Sequence, residues 1–177
     1  MQTSPFADNI VCRVLADDGT FPNNARLPLL LYPAAVILPD SDPARTFEDL
    51  FETNSWTNSW RNGIFGYHHY HSTAHEALGV CGGSARVQMG GPGGPEFDIR
   101  PADVIVIPAG VAHKNLESSG DFRVVGAYPA GQDWDMNFGK AGERPQADRN
   151  IADVACPEFD PVFGAAGPLA RLWREIG

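Results

Sequence analysis

Positive charge is scarce in this chain: 13 Lys and Arg stand against 22 Asp and Glu in 177 residues, a formal net charge of −9. A surface of that sign repels a phosphate backbone, and no basic stripe opposes it, so nucleic acid is not an expected partner. Long apolar runs are missing as well. None approaches the ~20 residues of a membrane-spanning helix, so no membrane partner is expected. The opening stretch MQTSPFADNIVCRVL has neither a basic region nor a long apolar one, so no secretory signal is visible and the expected location is the cytoplasm. Cysteine is rare. Cys12, Cys81 and Cys156 are odd in number, far apart and without a CxxC pair, which argues against a disulfide framework and for reduced thiols.

What the chain does hold is glycine, proline and a knot of histidines. Gly 19 and Pro 15 favour many turns and short strands over a helical bundle, and the length suits one domain. Residues 1–40 read as an arm with edge strands, and the apolar run 27–38, interrupted by Pro28 and Pro33, as a short buried or edge strand. Residues 41–54 read as a helix. Ser41 or Asp42 can cap it, Pro43 suits its first turn, and Phe47, Leu50 and Phe51 make one apolar face. Residues 54–63 read as a loop over a barrel wall, with Trp56 and Trp60 in surface packing or, as the alternative, lining the mouth of a pocket. Residues 60–130 carry short alternating segments (64–71, 75–80, 84–89, 96–99, 103–108 and 122–129) separated by glycine and proline turns, the pattern of an antiparallel sandwich or barrel. Residues 131–177 read as a wrap around it. Leu169, Leu172 and Trp173 mark a short helix over 167–176. One or two short helices are thus expected to flank the sheet.

All five histidines fall between Gly63 and His113. Residues two apart on a strand point the same way, so His69 and His71 can hold one ion from one strand. Glu76 can add a carboxylate oxygen, and an antiparallel barrel can bring His113 to the same point. Three imidazoles and a carboxylate leave one or two positions open on an octahedral ion. His68 takes the opposite parity and is not expected to ligate, and Cys81 faces away from Glu76. Strand parity turns Phe65, Tyr67, Leu78 and Val80 inward with the ligands. Tyr67 and His75 are the candidate catalytic acid or base groups, against plain packing roles for each. Arg86, Gln88 and Arg123 lie in strands whose facing the pattern leaves open.

The spacing resembles the two cupin motifs. The first reads Gly63, five residues, His69, one residue, His71, four residues, Glu76, six residues, Gly83. The second reads Ala102, five residues, Pro108, one residue, Gly110, two residues, His113, three residues, Glu117. Ala102 stands where the motif has glycine, and Glu117 where it has asparagine; Asn115 is out of register. Asp103 can take over the turn-shaping role of the missing glycine. Further stretches, among them DDGTFPNNARLPLLLY, GDFRVVGAYPAGQDWDM and KAGERP, are similar to the YjlB-like single-domain cupins, so the resemblance covers most of the chain. It implies an all-β, jelly-roll-like cupin β-barrel. It also implies one divalent metal ion per chain (Fe, Mn, Ni, Co or Zn) on His69, His71, Glu76 and His113, and a homodimer.

Three neutral imidazoles and one carboxylate leave a divalent ion net positive, which favours a small, anionic, chelating ligand. Two functions remain open at this point. One is a metal-dependent enzyme on a small organic metabolite, of dioxygenase-like or isomerase type. The other is a non-catalytic binding or sensing module. Fold alone does not choose between them.

Overall fold

A computed structural model describes residues 9–174. The first eight residues of the expected arm and the last residues of the expected terminal helix lie outside them. The elements in chain order are β1 (Val11–Leu15), β2 (Asn24–Tyr32), α1 (Pro43–Thr53), β3 (Trp56–Asn62), β4 (Glu76–Gly82), β5 (Ala85–Met89), β6 (Glu96–Ile99), β7 (Val104–Ile107), β8 (His113–Ser118), β9 (Arg123–Pro129), α2 (Gln146–Asp153) and α3 (Pro168–Arg174). Two antiparallel sheets form: six strands in the order β1-β2-β7-β4-β9-β3, and three in the order β6-β5-β8. This is the all-β, jelly-roll-like cupin architecture. Among the described residues it is built as two facing sheets rather than one closed ladder.

The inner strands of the larger sheet are buried on both faces for most of their length. Leu29 and Leu31 of β2, Leu78 and Val80 of β4, and Ile105 and Ile107 of β7 meet Val87, Met89 and Ile99 of the smaller sheet. The alternate residues Leu30, Tyr32, Ala77, Cys81, Val104 and Val106 pack outward, under Phe47 and Phe51 of α1 and Leu169 and Trp173 of α3. A strand covered on both sides loses its polar alternation, which is why LPLLLY and VIVI read as continuous apolar runs. Each fully buried side chain of this size contributes ~1.5–3 kcal/mol.

Helix α1 begins as expected: Pro43 opens it and the Asp42 side chain accepts from the Arg45 amide. Two segments differ from the sequence reading. Residues 54–63 are not a loop; most of them form β3, an edge strand on β9. Its register shifts between Thr57 and Trp60, with Asn58 at φ 55°. A bulge reverses parity. Trp56 therefore joins the outer core and Trp60 packs on the inner one, so the strand shows no regular alternation. Conversely, residues 64–71 are not a continuous strand; only isolated pairings, His69 with His113 and Tyr70 with Asn137, tie them down.

Among the described residues there are three helices rather than one or two. Helix α2 buries only Ala147 and has no side-chain cap, so it carries no apolar periodicity to read. Strand β8 also escapes the sequence reading, because its burial falls away from His113 to exposed residues. Arg144, just before α2, bonds Asp17, beyond β1, and Asp148 of α2 through its guanidinium.

Candidate metal centre

Backbone pairing brings the first two candidate ligands, His69 and His113, together. The His69 amide donates to the His113 carbonyl at 3.2 Å and the His113 amide returns to His69 at 2.9 Å. Their rings lie 4.1 Å apart. His71, two residues on, accepts at its carbonyl from the Gly110 amide at 2.8 Å. Gly110 has φ +95°, and a Cβ there would meet the Asn23 carbonyl oxygen at 2.3 Å; only glycine fits this approach. Glu76 opens β4 opposite Ile107. Ligand atoms of His69, His71 and His113 all lie within 4.8 Å of one another. Glu76 Oε2 sits 3.5 Å from His71 Nε2 and 3.3 Å from His113 Nε2. All four residues are buried.

The outer hydrogen bonds orient the rings. His69 Nδ1 meets the Tyr67 carbonyl at 3.1 Å and His113 Nδ1 the Val111 carbonyl at 3.1 Å. His71 Nδ1 meets the Asp135 carbonyl. A carbonyl can only accept, so each Nδ1 carries the proton and each Nε2 lone pair turns to the common point, the arrangement of metal-bound imidazoles. Glu76 Oε1 accepts from the Tyr128 hydroxyl at 3.2 Å, while Oε2 is buried without a partner. A carboxylate oxygen facing imidazole lone pairs needs a cation between them. The donor set therefore fits a divalent metal. Burial acts to raise the Glu76 pKa, but His71 and His113 outweigh it and hold the carboxyl below its usual range. For His71, burial acts downward and Glu76 more than offsets it. Burial and the neighbouring His113 bring His69 down to about 3.

Asp135 fixes His71 through two routes. Its carbonyl takes the His71 ring proton. Its carboxylate accepts from the Ser72 amide and hydroxyl, and from Asn137 Nδ2 at 2.8 Å. Asn150 of α2 donates to Ser72 Oγ at 3.0 Å. The segment after β9 thus holds His71 in place.

A cavity of about 170 Å³ opens onto His69, His71, Glu76 and His113, walled by Trp60, Phe65, Leu78, Tyr128, Trp134 and Met136. Neither residue singled out as an acid or base lines it. Tyr67 is 46% exposed and stacks on Phe65 at 5.0 Å, outside the cavity wall. His75 is buried away from it, its ring 4.7 Å from Trp173 and its Nδ1 accepting from the Ala109 amide at 2.9 Å. His68 packs against Phe21 at 5.6 Å. Cys81 donates to the Arg123 carbonyl in the outer core. Arg86 pairs with Asp98 at the surface, Gln88 bonds the Pro92 and Gly94 carbonyls, and neither they nor Arg123 reach the cavity. Asn115 Nδ2 donates to Ser118 Oγ, and Glu117 is exposed.

Trp60 lines the cavity, the alternative the sequence offered for the tryptophans of 54–63, although the bulge hides its facing. Tyr128, Trp134 and Met136 were not legible as site residues. Tyr128 had a signal: it shares parity with the inward Val124 on β9. Trp134 and Met136 sit in a segment without periodicity.

No protein-family model matches the chain. A Bacillus subtilis (strain 168) protein described as "Uncharacterized protein YjlB" is 43% identical over 157 residues, covering 89% of this chain and 92% of that one. Among solved structures, RmlC from Streptococcus suis in complex with dTDP-D-xylose overlays at TM-score 0.38 and 14% identity, covering 93% of each chain. A DUF861 family protein from Thermotoga maritima overlays at 0.31 and 18%, covering 51% of this chain and 92% of that one.

Proposed function

The chain belongs to the YjlB family, and we propose that it is a metal-binding cupin in which His69, His71, Glu76 and His113 hold one divalent ion beside a small-molecule cavity. The observation that carries this reading is the buried, partnerless Glu76 Oε2 set against two Nε2 atoms at 3.3 and 3.5 Å. When bound, such an ion supplies Lewis acidity or, if redox-active, oxygen activation. The chain's own residues orient the imidazoles, exclude water with an apolar wall, and keep a proton on Tyr128, whose pKa burial and Glu76 push up.

The activity we favour is of oxygenase type on a small organic anion. An isomerase needs a protein group that carries a proton at the substrate. Among the described residues the only hydroxyl lining the cavity is that of Tyr128, and it is already bonded to Trp60 and Glu76. Chemistry carried by the metal itself needs no such group. The same observation favours a second reading, a module that binds its ligand without turning it over.

The first test is metal content of untagged protein, with variants. One ion per chain is expected, retained by His68→Ala and largely lost by His69→Ala and His113→Ala; equal loss in all three would sink the ligand assignment. Fe-, Mn-, Ni-, Co- and Zn-loaded samples are then followed by oxygen uptake on a panel of organic acids. Ligand binding without turnover under every metal selects the second reading.

A further inference from the structure

We infer that the ligand of this cavity is a small aromatic monocarboxylate: one ring, one negative charge. The inference rests on the metal reading above and adds what the cavity wall selects.

Charge sets the first limit. A divalent ion with one carboxylate and three neutral imidazoles carries one net positive charge, enough for one anionic group. Among the described residues no lysine or arginine lines the cavity. Arg61, next to the lining residues Trp60 and Asn62, is spent on Asp42 and Glu48. Lys140 sits over the Phe138 ring at 4.8 Å, outside the wall. A second carboxylate or a phosphate would therefore be desolvated against apolar walls with no cation to meet it, which is unfavourable.

Wall chemistry sets the second. Four aromatic residues, Trp60, Phe65, Tyr128 and Trp134, line a cavity that includes the ligands. Trp134 stacks with Tyr128 at 6.1 Å and 23°, and meets His71 edge-on at 5.6 Å. The aromatic surface therefore runs unbroken from a metal ligand to the mouth, where Phe65 is 43% and Trp134 48% exposed. Ring faces and edges of this kind favour an aromatic guest over a saturated one of equal size. Volume sets the third: about 170 Å³ is below the ~300 Å³ at which drug-sized sites begin, and suits a single ring.

Zinc-loaded protein keeps binding separate from turnover. After zinc per chain is measured, benzoate, cyclohexanecarboxylate and phthalate are titrated calorimetrically. Benzoate is expected to bind 1:1, roughly tenfold tighter than cyclohexanecarboxylate, with phthalate weaker than benzoate. Trp134→Ala, and Phe65→Leu as a variant that keeps apolar area, should shrink the benzoate preference while zinc stays at one per chain. A saturated acid that binds as tightly, a tighter dianion, or no binding by any probe to zinc-loaded protein overturns the inference alone. Protein that takes up no zinc overturns the metal reading and this inference with it.

Discussion

Replacing Tyr128 with phenylalanine removes a single oxygen that connects the cavity wall to the candidate ligand set. The hydroxyl accepts from Trp60 Nε1 at 2.8 Å and donates to Glu76 Oε1 at 3.2 Å. Its raised pKa, caused by burial and then by the Glu76 charge, keeps it a donor. A hydrogen bond to a charged group contributes ~1.5–3 kcal/mol, and Glu76 is buried, so water does not replace the lost donor. Tyr128→Phe should lower the stability of metal-free protein by ~2–3 kcal/mol. In loaded protein the loss of a partner behind a ligand weakens metal affinity ~10–100-fold, or ~1.4–2.8 kcal/mol, the same scale. Urea unfolding in a chelator measures the first quantity, and zinc competition against a chromogenic chelator the second. Trp60→Phe is the control: it removes the indole donor but leaves the bond to Glu76, so zinc affinity should stay within about threefold. Wild-type affinity in Tyr128→Phe, or an equal loss in Trp60→Phe, would refute the reasoning.

Two further outcomes follow from buried or strained positions. Burial brings His75 down to about 3, while an unfolded histidine titrates near ~6.5. Between those values the unfolded chain binds more protons, so this contribution to stability is complete above ~pH 6.5 and falls by ~1.4 kcal/mol per unit as pH drops. By pH 5 about 2 kcal/mol is lost; His75→Gln should flatten that limb in urea melts with chelator, and parallel acid limbs would count against it. Ala102 adopts φ 81°, a conformation that costs a side-chain-bearing residue ~1–2 kcal/mol, partly offset in glycine by ~0.4–1 kcal/mol of chain entropy. Ala102→Gly should raise the urea midpoint by the equivalent of ~0.5–1 kcal/mol with the slope unchanged; a lower midpoint would show that the turn is not strained there.

That last position shows how motif and structure relate. The motif expects glycine at 102, and the backbone makes the glycine-like turn regardless: the Ala102 amide donates to Val80 and its carbonyl accepts from Ala35 and Val36. Asp103 supports the turn by accepting from the Ala34 and Arg100 amides, the role its position suggested.

Alternating short segments and turns were enough to expect an antiparallel sandwich or barrel, and apolar faces placed α1 and α3; the resemblance to the cupin motifs implied the cupin fold and gathered His69, His71, Glu76 and His113 as a candidate set. The two-residue and three-to-four-residue periods are local, because they follow from backbone geometry alone. The tertiary structure decided the rest. It turned Trp60 inward through a bulge, brought Trp134 and Met136 back from a segment without periodicity, and left Tyr67 and His75 outside the cavity that proximity in sequence had suggested for them. Parity holds only along an unbroken strand. Where residues 64–71 pair only at isolated points, and where the chain returns to the site after the last strand, the facing of a side chain is set by long-range contacts, such as Asp135 with Ser72 and His71, that no local pattern records.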